Sequence, residues 1–278
     1  MEVSGVAARW LVLVALAMLA SAPTCALLMA RREASRALHR ATHAEHAHWV
    51  NAAVGLSLLA FVLDVLVHGR WVWLVARLAL LIGVWASLSR QRTALGALLV
   101  AALLLTQSFQ GNAPQQREWL AAVVADWLHL VSAAVWLGGV GYLALVILPA
   151  ALRDQSRLAG LAEAVSAFSS LAVAAVLVAA LTGIAQSAAL VGSFAALIGT
   201  TYGQALLVKL GSSAVLLALG AFHHFVVSPQ LNLWRLRAAH AAEAARRFRV
   251  SLAVESAFAA FTLVAAAAMT ILPAPGLG

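Results

Sequence analysis

Long apolar runs, each close to the length that crosses a lipid bilayer, fill most of this chain and leave only short connections between them. They fall at 8–30, 49–68, 71–88, 93–109, 119–148, 163–190, 203–227 and 250–272. A bilayer core takes ~20 apolar residues per helix. The runs are continuous and rich in Ala and Leu, whereas the strands of a membrane barrel alternate in character, so helices are expected. The fold class read from this pattern is all-α: a polytopic membrane helix bundle of about eight transmembrane helices. With 64% hydrophobic and 10% charged residues, the composition has no room for a soluble domain. Two units are expected, a membrane half at 1–112 carrying a His-rich loop at 31–48 and a second four-helix half at 113–278, packed as one body.

Turn chemistry marks the breaks. His68-Gly69-Arg70 makes a tight hairpin, Gly111-Asn112-Ala113-Pro114 opens a polar loop, and Pro149 and Pro229 are expected to follow the ends of spans. The first run continues through Leu27, Leu28 and Met29 before Arg31 and Arg32, so it reads as an uncleaved span rather than a signal peptide. The single cysteine, Cys25, has no partner for an internal disulfide.

Lys and Arg in the loops set the orientation. Arg31, Arg32, Arg36, Arg40, Arg90, Arg92, Arg153, Arg157, Arg235, Arg237, Arg246, Arg247 and Arg249 fall in the connections after the odd-numbered runs, while the opposite side has Arg9, Arg70 and Arg117. Both termini are therefore expected outside. The net charge of +8 then expresses topology and attraction to anionic lipid, and no nucleic-acid partner is expected.

Ionisable residues inside spans are costly and mark the bundle interior. Asp64 and Arg77 lie at nearly equal distances from the Gly69 turn, which predicts a charge pair across an antiparallel hairpin. Asp126 and Lys209 pair likewise, and His129 shares a helix face with Asp126 at i, i+3 spacing. Trp136 lies deeper on the same broad face, beside Gly138, Gly139 and Gly141, whose small size lets a neighbouring helix approach.

Three stretches resemble the CopD/PcoD copper-resistance membrane family. The segment Asp126-Trp127-Leu128-His129, running on to Trp136, Gly138 and Gly139, is similar to the family's histidine before a Trp-x-Gly-Gly. Thr200-Thr201-Tyr202-Gly203 with Lys209 beyond it resembles a Thr-x-Tyr-Gly…Lys signature, and Arg249…Glu255 leading to Pro273 looks like the last helix. One departure stands out: where members commonly carry Gly-His-Ala, this chain has Gly111-Asn112-Ala113, and asparagine does not replace imidazole as a transition-metal ligand. The resemblance implies copper transport or handling at a bacterial inner membrane, with a small periplasmic copper-binding partner. The ion's oxidation state and direction of movement stay open.

The ligands expected for copper are His129, His68 and Met269 near the outer surface, supported by Asp126, Lys209, Tyr202, Trp136, Asp64 and Arg77. A relay through Met18 to Cys25 and Met29 is one route inward. His39, His43, His46 and His48 hold four of the nine histidines within ten residues and form a possible cytoplasmic metal cluster; a basic segment lying on anionic lipid is the preferred reading. His223 and His224 are expected at the interface. With no nucleotide-binding loop, nucleophile elbow or zinc-protease helix, a transporter-like, non-enzymatic role is expected. Two alternatives remain: a haem-binding cytochrome b with His68 and His129 as one axial pair and His48 with His223 or His224 as the other, and a copper-delivery or assembly factor for a membrane oxidase.

Overall fold

The computed structural model describes residues 3–69, 71–230 and 238–277, with backbone only for 238–245. Arg70, Arg235 and Arg237 of the charge count lie outside the described residues. The regular structure is helical: α1 (Val3–Met29), α2 (Glu33–Ala41), α3 (His43–His68), α4 (Trp71–Ser89), α5 (Thr93–Ser108), α6 (Trp119–Tyr142), α7 (Leu148–Leu152), α8 (Leu158–Val191), α9 (Phe194–Gly199), α10 (Thr201–Phe222) and α11 (Ala238–Met269). Among the described residues, seven stretches are long and apolar enough to cross a membrane, and α5 is a shorter apolar helix. The chain is thus a multi-pass membrane bundle. One end, here the terminal face, gathers the start of α1, the α3–α4 turn and the end of α11. The other, the loop face, carries α2 and the Arg-rich connections.

α1 is the hub, packing against α3, α5, α6, α8 and α11. Lipid tails are as apolar as the side chains, so helices associate in a membrane by close packing and hydrogen bonds rather than by escape from water. The sequence supplies the small residues this needs: Ala8, Ala15, Ala17, Ala20, Ala22 and Ala26 of α1 are all buried. A Cβ on Gly138 of α6 would run into the backbone of Ala17, and one on Gly139 into the Phe168 ring of α8. The glycines that read as packing residues are therefore where three helices touch.

Prolines are absorbed inside helices instead of ending them. Pro23 lies within α1. Nearby, the Met18 carbonyl accepts from the Ser21 hydroxyl at 2.7 Å and the Trp49 indole at 3.1 Å. Pro149 and Pro229 each follow a π turn, Leu143–Ile147 and His223–Val227, by two residues. A proline ring collides with the carbonyl four residues earlier in an α-helix, and the wider π turn relieves that collision. The helix runs on past Pro149 to Leu152, and past Pro229 the described helix reaches Gln230.

The Gly69 turn does form. It caps α3 with φ +71° and its N–H bonds the Val65 carbonyl at 2.7 Å. The segment expected as a His-rich loop at 31–48 is helical, comprising α2 and the first turns of α3. Polar residues there mark where the helix leaves an apolar environment, not where helix stops.

Candidate functional site

Two polar assemblies lie toward the terminal face. The first is centred on Asp64, which is fully buried in α3. Its carboxylate meets Arg77 of α4 at 3.3 Å and Arg9 of α1 at 3.2 Å, and the His68 imidazole lies 3.1 Å from the same carboxylate. Arg77 also donates to Thr106 at 3.1 Å and to Gln107, both at the end of α5, and its guanidinium lies 5.0 Å over the Phe61 ring. Arg9 reaches Gln110 at 3.4 Å. The hairpin geometry read from the sequence pairs Asp64 with Arg77, but the sequence placed Arg9 on the flank of its span. α1 begins at Val3, which carries Arg9 two turns into the bundle, where it is 2% exposed. This also accounts for the shortness of α5: its last turn ends in buried polar side chains that hold Arg77, not in lipid.

The second assembly gathers on α6. Asp126 and His129 share a face as their spacing requires. The Asp126 carboxylate lies beside the Ser108 hydroxyl of α5 and within electrostatic reach of Lys209 of α10, which also acts on His129. Tyr202, buried at the start of α10, sets its hydroxyl against the Asn112 side chain. The local sequence explains that placement. The Thr200 hydroxyl accepts from the Gly203 N–H at 3.0 Å and caps α10, and Gly203 has no Cβ to strike the Leu197 carbonyl of α9. Asn112, the departure noted above, thus stands at the edge of the assembly containing Asp126, Tyr202 and Lys209.

His129 is held from α8. Its Nδ1 lies 2.9 Å from the Ala179 carbonyl oxygen and 3.3 Å from the Thr182 hydroxyl, and that hydroxyl itself donates to Val178. A carbonyl only accepts, so Nδ1 carries the proton and Nε2 keeps its lone pair. Gly183 makes room for the ring, since a Cβ there would come within 3.1 Å of it.

The expected copper ligands are distributed around α10. His68 lines an open groove of about 870 Å³ with Gly5, Gln204, Val208 and Ile271. His129 lies on the side of α8. Met269 packs against the apolar group of Leu190, Tyr202 and Leu206. Trp136 is buried in the main core. Among the described residues, no three His, Cys, Asp or Glu side chains converge as a metal-binding group. Of the imidazoles paired for haem, His129 bonds α8 and His68 bonds its own helix, both through Nδ1, while His48 is exposed.

At the loop face, His39 and His46 lie with ring centroids 5.2 Å apart, whereas His43 and His48 are exposed. Cys25 and Met29 are buried at the same end of α1. His223 and His224, expected at the interface, are built into the bundle. His223 bonds Glu255 at 2.7 Å and Ser251 at 2.6 Å on α11, and His224 bonds Ser169 of α8 at 2.7 Å. Sequence reasoning missed the Glu255–His223 pair. An intramembrane carboxylate was itself the signal, and the π turn that starts at His223 is visible only in the backbone.

Residues 162–269 match the family model described as Copper resistance protein D. The Copper transport protein CutJ of Bacillus subtilis (strain 168) is 34% identical over 175 residues, covering 62% of this chain and 29% of that protein. Copper resistance protein D of Pseudomonas syringae pv. tomato is 29% identical over 205 residues, covering 69% of this chain and 64% of that protein. The chain therefore spans less than two thirds of either relative's length. No solved structure matches.

Proposed function

We propose that this chain, whose residues 162–269 match the copper resistance protein D family model, carries copper ions across a bacterial cytoplasmic membrane, with the terminal face on the periplasmic side. The observation that carries this reading is the state of His129. Its Nδ1–H is committed to the Ala179 carbonyl, which leaves Nε2 as a neutral imidazole donor inside the bundle. Imidazole suits copper, and the methionines are too few for a thioether-lined pore.

In this reading, His68 in the open groove meets an ion arriving from a small periplasmic copper-binding protein, and His129 and Met269 serve as further donors. Asp126 balances the Lys209 ammonium, so the cation beside His129 does not repel an entering one unopposed. The Asp64 network is structural: its carboxylate is paired with two guanidiniums. With no nucleotide-binding loop in the chain, the membrane potential supplies the drive, at about 2.3 kcal/mol per charge per 100 mV for inward movement.

The test is copper loading of the detergent-purified protein, wild type beside His129→Ala, with elemental analysis and a visible spectrum. Copper bound by the wild type and reduced by one equivalent in the variant supports the reading. Full retention of copper by the variant, or a Soret band in the wild type, overturns it.

A further inference from the structure

The four histidines between His39 and His48 are not equivalent. His43 and His48 are exposed, and His43 reaches only Gln91 at 3.5 Å. His39 and His46 face one another with ring centroids 5.2 Å apart at an 80° angle. The His46 Nδ1 lies 2.7 Å from the Tyr142 hydroxyl, and the Tyr142 ring is in turn held edge-on by Trp49 at 5.7 Å. The His39 Nδ1 is shielded from solvent and has no hydrogen-bond partner among the described residues.

We infer that His39 and His46 form a two-imidazole site for a soft monovalent cation, copper(I), at the loop-face end of the bundle. The site is built rather than incidental, because α2 is not a loose linker. Leu38 is buried against α8, where Gly160 leaves space for it. The Ser35 N–H donates to Glu163 of α8 at 3.0 Å, and the Ser35 hydroxyl to the Met29 carbonyl of α1 at 3.0 Å. These three attachments fix His39 relative to α3, which carries His46. Tyr142 supplies the outer hydrogen bond that orients a ligating imidazole. An unpartnered ring nitrogen on a ring beside a second, oriented one suits a metal that accepts two nitrogen donors. Among the described residues, divalent ions that need three or four protein ligands find no third His, Cys, Asp or Glu converging here. In copper(I) the d10 shell permits that low coordination number, so the site discriminates by ligand count.

This inference rests on the copper reading above for the identity of the ion, and stoichiometry separates the two. Full-length protein in detergent is titrated anaerobically with copper(I) against a chromophoric chelator. The His39→Asn/His46→Asn variant is expected to lose one equivalent, and His43→Asn/His48→Asn to lose none. His129→Ala is expected to keep this equivalent whatever happens at the terminal face. An unchanged stoichiometry in the first variant, or the same loss in the second, overturns the assignment; failure of the terminal-face reading appears only as an unchanged His129→Ala. Folding is monitored through the buried thiol of Cys25. If the double variant unfolds, Tyr142→Phe decides: affinity at one site falls about 10–100-fold if the hydroxyl orients His46, and an unaltered affinity overturns the proposal.

Discussion

Replacing Asp64 by Asn removes one negative charge and leaves two buried guanidiniums facing each other. In the native protein the carboxylate serves Arg9 and Arg77 at 3.2 and 3.3 Å, and all three residues are at most 2% exposed. Breaking a buried pair by removing one partner costs about 3–5 kcal/mol, because the remaining charge has no water to return to. Arg77 keeps Thr106 and Gln107, and Arg9 keeps the longer bond to Gln110. The comparison that isolates charge is Arg77→Gln. That change leaves Asp64 opposite Arg9, a neutral pair, and its cost is expected near the 1–3 kcal/mol of lost hydrogen bonding. The assay uses Cys25, the single cysteine, 3% exposed in the native bundle. A thiol-reactive fluorophore labels it only as the bundle opens, so thermal unfolding in detergent is read directly. Asp64→Asn unfolding at a temperature no lower than Arg77→Gln would refute the view that the carboxylate holds two unlike-charged partners in a dry site.

Two further outcomes follow from particular contacts. Gly138→Ala drives a Cβ into the Ala17 backbone and is expected to lower stability by about 1–3 kcal/mol or more in the same thiol assay, while Gly55→Ala, with open space around it, leaves the melting point within a degree or two. Glu255→Ala leaves the buried His223 Nδ1 without an acceptor and is expected to cost about 1–3 kcal/mol, with Glu255→Gln recovering part of the loss; equal stability of the two variants would show that the bond to His223 is immaterial.

Hydropathy made the helices legible, because lipid imposes a length and a composition that few other environments demand. The Gly69 hairpin, and with it the meeting of Asp64 and Arg77, followed from counting residues on either side of a turn. Arg9 was misplaced because the first helix starts before its apolar run does: hydropathy locates lipid contact, whereas the hydrogen-bonded helix extends further. The same error hid the helical start of α3, and so the fact that His39 and His46 meet while His43 and His48 do not. The surroundings of His129 were illegible for another reason. Its partner is a backbone carbonyl on α8, and a carbonyl belongs to every residue, so no side-chain pattern announces it.

The π turns at the loop-face ends of α6 and α10 bear on how motion travels through the bundle. An α-helix is a stiff rod in which each residue fixes the next at about 100°, so turning one end turns the other. A π turn inserts an extra residue into that gearing. Asp126 and His129 in one helix, and Tyr202 and Lys209 in the other, therefore lie on rods whose far ends, bearing Pro149 and Pro229, are set at a different rotational phase. A twist applied at the loop face reaches the terminal face offset in phase by that extra residue.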